Sequence, residues 1–204
     1  MEYPPMPSEW EDSDYERLAC LLREISKPSM VVANKIDVVA KENIERLENM
    51  EEEILVVTSQ YELILRKGNE KGIIRYDPGD DTFDVIKELT EEQEKGLNKI
   101  EKVMKEYGGT GVQNSLNRAV YEMMKMITVF PVENETHWAD GKGNKLPDAY
   151  LMSKGSTPRD LAYEVHTDIG DGYLYAINAR SNRRISEGYE LKEGDVIKIV
   201  STAK

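Results

Sequence analysis

MVVANKID, residues 30–37, decides how the chain is read. Met30–Ala33 is apolar, rich in β-branched residues and followed by polar ones, the pattern of a buried strand. Asn34-Lys35-Ile36-Asp37 then falls at the carboxyl end of that strand, where open α/β sheets bind their ligands. Asn-Lys-x-Asp is the pattern that reads a guanine base. Guanine presents a ring N–H beside an exocyclic amine, and a carboxylate is acceptor-only with two oxygens. Asp37 can therefore take both hydrogens at once. Adenine would leave that carboxylate facing an acceptor, and such an unpaired partner is rejected roughly 10⁴-fold. Lys35 can lay its methylene stem over the base while its ammonium stays in water. Asn34, donor and acceptor in one, can tie the loop to a neighbouring one. The bland alternative is a chance tetrapeptide, and strand placement is the context that separates the two.

Outward from this stretch, composition sets the bounds. The 204 residues allow one large or two small domains. A single cysteine, Cys20, excludes an internal disulfide and a thiolate metal cluster; its apolar neighbours at helical spacing predict a buried packing role. The sequence has no apolar run of the roughly 20 residues that a membrane span needs. Nor does Met1 open a cationic and apolar signal peptide. A reducing, cytoplasmic location without membrane contact is the expectation. Net charge is −12: residues 1–126 carry 17 basic and 27 acidic side chains, residues 127–204 carry 10 and 12. Neither part has the basic excess of a general DNA binder. A local RNA or ribosome contact stays open.

Residues 1–13, with two adjacent prolines, read as irregular. Tyr15, Leu18, Leu22 and Ile25, with Leu21 beside them, predict an amphipathic helix capped by Asp14 and stopped at Ser26-Lys27-Pro28. After the motif, Lys41–Met50 reads as a short helix with Ile44 and Leu47 inward. The acidic run Glu51–Glu53 leads into a second β-branched strand, Ile54–Ser59. Strand, helix and strand with short links predict a parallel βαβ unit. Thr58-Ser59-Gln60 then opens beside Asn34–Asp37, its backbone N–H groups placed for the guanine carbonyl. Tyr61–Lys67 reads as a helix and Gly68–Asp81 as turns. Thr90 with Gln93 forms a capping box opening a helix with Leu97, Ile100, Val103 and Met104 on one face, ended by Gly108-Gly109. Val112–Met126 reads as one more helix, with Leu116, Val120, Met123 and Ile127 in step.

From Ile127 the character changes. Strands are expected at Ile127–Val132, Ala149–Met152, Tyr173–Ile177 and Asp195–Val200, with a proline-started helix from Thr157-Pro158 to about Glu164. That order predicts a compact α+β module of the β-grasp type. Tyr173 and Tyr175 should share one face of their strand. Methionines read as core filler, and His166 as a helix-end cap. Arg180, Arg183 and Arg184 form the tail's basic cluster, either a solvated hairpin or an RNA contact.

Together VVANKID, VVTS (56–59), TGVQNSLNRAV (110–120) and ITVFPVE (127–133) resemble the Obg-related YchF-type GTPases, in their archaeal branch. Residues 166–200, HTDIGDGYLYAINARSNRRISEGYELKEGDVIKIV, resemble the TGS domain that ends those proteins and also occurs in threonyl-tRNA synthetases and SpoT-type enzymes. The resemblance implies an α/β part of a P-loop GTPase with a helical connector, then a β-grasp domain. Residues 1–29 would be the tail of a helical insertion, 30–126 the carboxyl-terminal part of the GTPase domain, and 127–204 the TGS domain. It implies GTP as the ligand, since relatives with an altered tetrad prefer ATP. It maps base contacts onto Asn34, Lys35 and Asp37, with Thr58, Ser59 and Gln60 in the following loop, and it implies a ribosome or RNA contact through the tail. Gln60 departs from the family's alanine. No G-x-x-x-x-G-K-[ST] occurs in the sequence, and the only Asp-x-x-Gly, Asp140–Gly143, lies in the tail. The chain is therefore expected to be the carboxyl-terminal half of a GTPase, inactive alone, with Mg²⁺ relevant only beside the other half. No residue is nominated as catalytic or metal-binding. The alternative is a non-enzymatic module whose TGS tail binds RNA or protein.

Overall fold

The apolar run of the motif does become a strand, β1 (Val31–Asn34), and it pairs in parallel with β2 (Ile54–Val57). The computed structural model of the chain describes residues 7–50 and 53–203, so Glu51, Glu52 and residues 1–6 of the expected irregular start lie outside it. Helix α2 (Lys41–Glu48) crosses between the two strands with Ile44 buried, completing the expected βαβ unit. Register matches Asn34 with Val57, so both strands end level and both following loops open at one edge.

Contrary to expectation, β1 is not a buried strand: Val31 and Val32 are 48% and 39% exposed. Its sheet has only β1 and β2 among the described residues. An apolar strand needs cover on both faces, and the described residues leave Val31 and Val32, neighbours on opposite faces, open. Helix α1 (Asp12–Ser26) carries the same signature. Its apolar stripe forms as predicted, yet none of its residues is buried and Ile25 is 80% exposed. Cys20, expected to pack, is exposed with it. Nor is Asp14 the cap. Glu11 holds that position and Asp14 reciprocates from the first turn, accepting the Glu11 backbone N–H at 3.0 Å.

Helix α3 (Ser59–Glu70) starts directly from β2 and runs past the expected turn at Gly68. Two short strands that the sequence did not announce, β3 (Ile74–Arg75) and β4 (Asp84–Val85), form an antiparallel hairpin. Helix α4 (Glu91–Tyr107) has the predicted Thr90–Gln93 capping box and ends on Gly108 in the left-handed region. Leu65, Ile74, Tyr76, Ile100 and Met104 make this unit's core. The expected single helix at 112–126 is instead a short α5 (Val112–Asn117) followed by a widened π-helical segment, Arg118–Met123. Leu116 is 52% exposed, and Ile127 belongs to the next strand.

The chain divides into two compact units, the first ending at Ala119 and the second starting at Val120. The second holds a five-stranded sheet of β5 (Met126–Val132), β6 (Tyr150–Ser153), β7 (Tyr173–Asn178), β8 (Arg183–Ile185) and β9 (Asp195–Ser201). Their order is β6-β5-β9-β7-β8, with β5 and β9 parallel at the centre. Helix α6 (Pro158–Val165) closes one face, burying Leu161 against Val129, Met152, Ala176 and Ile197. This is the β-grasp that the strand order predicted. A short helix, α7 (Thr167–Asp171), was not foreseen; His166 caps it, its Nδ1 accepting the Asp168 N–H.

Tyr173 and Tyr175 do not share a face. Tyr173 packs on the same core as Ala176, three residues on, which a regular strand forbids. A register shift between Tyr173 and Tyr175 makes a bulge that turns the strand over. Tyr175 lies instead under the Arg184 guanidinium, 4.1 Å from the ring centroid.

Candidate guanine-reading site

The level ends of β1 and β2 bring the two predicted loops together. Asn34 Oδ1 accepts the Ser59 backbone N–H at 3.1 Å and that of Lys35 at 2.8 Å, so one amide oxygen ties both loops. Lys35 stands at φ 76°, a left-handed conformation unusual for a residue with a Cβ. Backbone of that kind survives only where its surroundings hold it, and it clusters at ligand clamps. Here the clamp is the bond to Asn34. Ile36 is buried and its N–H reaches the Val57 carbonyl at 3.3 Å, anchoring the loop from beneath.

Asp37 is half-buried at the start of α3. Thr58 Oγ1 donates to Asp37 Oδ1 at 2.8 Å and accepts the Tyr61 N–H at 3.4 Å as the helix cap. Among the described residues, Asp37 Oδ2 takes no hydrogen bond and the carboxylate has no ion pair. A carboxylate held by one oxygen at a helix N-terminus retains acceptor capacity on both. The Ser59 N–H is spent on Asn34, whereas the Gln60 N–H, at the second helical position, has no intrahelical acceptor. Asn34, Lys35, Ser59 and Gln60 are exposed; Thr58 is buried. The donor and acceptor set thus fits a guanine edge: two acceptors at Asp37, and a backbone donor at Gln60 for the carbonyl oxygen.

Beneath this loop lies a support that sequence reading missed. Glu62 is buried in the first turn of α3 and its carboxylate accepts from Thr110 Oγ1 at 2.6 Å, Tyr76 OH at 2.8 Å and Arg66 Nε at 2.6 Å. Burial disfavours its charge, but the hydrogen bonds from Thr110, Arg66 and Tyr76 outweigh that and hold its carboxyl below the ordinary range. The Thr110 carbonyl in turn accepts the Thr58 N–H at 2.9 Å, so Glu62 fixes the loop that carries Thr58. A signal was present: Glu62 is three residues from Leu65, on the inward face of α3.

Gly111 completes the support. It stands at φ 76°, and a Cβ there would lie 2.2 Å from the Val56 carbonyl oxygen in β2. Gly111→Ala is therefore expected to lower stability by about 2 kcal/mol or more, combining left-handed strain with a backbone clash. Urea melts of the chain check this, and an unchanged midpoint would contradict it.

The three basic tail residues differ in what holds them. Arg180 Nε donates to the Gly194 carbonyl at 2.8 Å, and its guanidinium lies 5.1 Å from the Trp138 ring centroid. Arg184 covers Tyr175, and Arg183 is exposed on β8. The Asp140–Gly143 match is a turn: Asp140 accepts from the Lys142 and Asn144 backbones and from the Asn144 side chain. Among the described residues no group of three His, Cys, Asp or Glu is placed to hold a metal. No helix there is long and apolar enough to cross a membrane.

Residues 32–134 match the Obg-like GTPase YGR210-like, G4 motif-containing domain, and residues 142–201 match the TGS domain. A GTP-binding protein of Methanocaldococcus jannaschii is 44% identical over 97% of this chain and 51% of its own. One from Schizosaccharomyces pombe is 26% identical over 76% of this chain and 41% of its own. The crystal structure of a GTP-binding protein from Pyrococcus horikoshii superimposes with a TM-score of 0.73 and 40% identity, covering 98% of this chain and 53% of that one. The nucleotide-type βαβ unit and the β-grasp define a GTPase-fold chain with a TGS domain. The chain belongs to the Obg-like GTPase family, and it spans about half the length of these relatives.

Proposed function

We propose that this chain is the base-reading part of a GTP-binding protein, with Asn34, Lys35, Asp37, Thr58, Ser59 and Gln60 forming the guanine site. One observation carries the reading: Thr58 holds Asp37 by a single oxygen at the mouth between β1 and α3, leaving acceptor capacity for a two-hydrogen donor. Lys35 covers a face of the ring and the Gln60 N–H meets the carbonyl. Residues 1–29 act with a helical insertion, 30–126 with the nucleotide fold, and 127–204 as the TGS domain of a cytoplasmic, translation-associated protein.

Phosphoryl transfer depends on positioning and charge around the phosphates and Mg²⁺. The chain's own residues select the base; phosphate affinity and hydrolysis belong with residues that the 204 positions do not include. Calorimetric titration with GTP, GMP, ATP and AMP tests this. GTP and GMP should bind weakly and within about threefold of each other, because only the base is gripped, and the adenine nucleotides should give no heat. GTP binding far more tightly than GMP would contradict the reading.

A second reading, an RNA contact through the tail, is supported by Arg183 and Arg184 standing exposed on the edge strand β8. Arg183→Glu with Arg184→Glu should then weaken binding of ribosomal RNA and flatten its salt dependence by about one slope unit per lost phosphate contact. Equal slopes for variant and wild type would remove this reading.

A further inference from the structure

Helices α3 and α4 and the β3 strand enclose an apolar groove of about 400 Å³, which meets the guanine loop only at Tyr61. Gly68, Ile74, Gly96 and Leu97 line it, and Lys67, Lys71 and Lys99 stand at its rim. None of these three ammonium groups has a hydrogen bond or ion pair among the described residues, in a chain whose net charge is −12. Gly96 is the telling position. Glycine weakens the interior of a helix, and here nothing within 4 Å of its would-be Cβ explains the choice. A bare helix backbone facing a groove admits a close-packed visitor.

The same chain carries a helix of matching shape and charge. Along α1, Tyr15, Leu18, Leu22 and Ile25 recur at steps of three and four, and Tyr15, Leu22 and Ile25 are 49%, 56% and 80% exposed. Residues 11–26 hold five acids and two arginines. Amphipathic helices lie in apolar grooves through anchors at this spacing, and opposite charge at the rim sets orientation and partner choice. We propose that the groove receives α1 of a second copy of this chain. Because each copy owns both a helix and a groove, reciprocal exchange closes a two-fold dimer. The proposal stands whether or not a guanine nucleotide binds.

Sedimentation equilibrium of the full chain in reducing buffer, since Cys20 is exposed on α1, tests it. The 23.3 kDa chain is expected to dimerise with a Kd on the order of 10 µM, weakened by salt because the rim contact is ionic. Leu22→Asp with Ile25→Asp on α1, or Gly96→Glu in the groove, should each raise Kd by about tenfold or more. Mixing those two variants should restore part of the association, one intact helix meeting one intact groove. Lys67→Glu with Lys71→Glu and Lys99→Glu, all surface changes, should weaken it in the same sense should Gly96→Glu unfold α4. A monomer at about 0.2 mM, where a 10 µM contact would be nearly saturated, overturns the proposal. So does a dimer indifferent to both variant sets, which would point to pairing at the β1–β2 edge, and so does a monomer in which α1 folds onto its own groove.

Discussion

Replacing Asp37 by asparagine is expected to abolish detectable binding of GMP by this chain while leaving its melting curve unchanged. Asparagine keeps one acceptor but turns its amide donor toward a guanine donor, so one hydrogen bond is lost and one repulsive pair is created. Leaving a partly buried charged-acceptor site unmatched costs roughly 2–4 kcal/mol, a loss of about 30- to 1,000-fold. From a weak base-only affinity that places binding beyond measurement. The effect on stability is small because the carboxylate makes a single internal hydrogen bond, from the Thr58 hydroxyl, which the asparagine oxygen can also accept. Titration by ligand-observed NMR beside a thermal melt separates the two effects. A variant that binds GMP as the wild type does would show that Asp37 does not read the base.

The second large effect is on stability, at Glu62. Glu62→Ala removes the acceptor of the Tyr76 and Thr110 hydroxyls and of Arg66, with Tyr76 and Thr110 buried. Stranding buried donors and a partly covered guanidinium costs about 3 kcal/mol. Calorimetry of the chain should show one transition lowered by roughly 10 °C. The sign of the pH dependence follows from the lowered carboxyl pKa in the folded state. A depressed folded pKa adds stability that is complete above the unfolded value, about 4.3 for glutamate, and is lost as pH falls through the folded one. The gap between wild type and Glu62→Gln should therefore be constant at neutral pH and narrow in acid below about pH 4.3. A gap of fixed size down to strong acid would mean the charge contributes nothing.

The guanine loop was legible in the sequence because its requirements are local. A β-branched strand ending in Asn-Lys-x-Asp, and a second ending in Thr-Ser, place their loops at one edge as soon as the two strands run parallel in level register. Capping chemistry was readable at Thr90 with Gln93 and at the start Thr157-Pro158, but not at α1, where Glu11 rather than Asp14 takes the cap. What sequence could not supply depends on partners far along the chain. Glu62 meets Thr110 across 48 residues, and although its spacing from Leu65 marks it as inward, nothing near either names the partner. The bulge between Tyr173 and Tyr175 changes which face each tyrosine occupies without altering the alternation of residue types. The period of Leu116, Val120 and Met123 continues through a π-helical widening that apolar spacing does not register.

The exposure of β1 and α1 is a different kind of miss. Apolar pattern says that a surface wants cover, not where the cover comes from. Val31, Leu22 and Ile25 read as core and stand in solvent in this chain. The helix face and the groove of α3 and α4 are two such surfaces in one chain, and each can supply the other's cover.

The most direct test of the guanine reading is amide NMR of the ¹⁵N-labelled chain titrated in parallel with GMP and AMP. The account predicts shifts confined to residues 34–37 and 58–61 with GMP, centred on Asp37 and the Gln60 N–H, and none there with AMP. Equal shifts with both nucleotides, or shifts elsewhere with this loop silent, would contradict it.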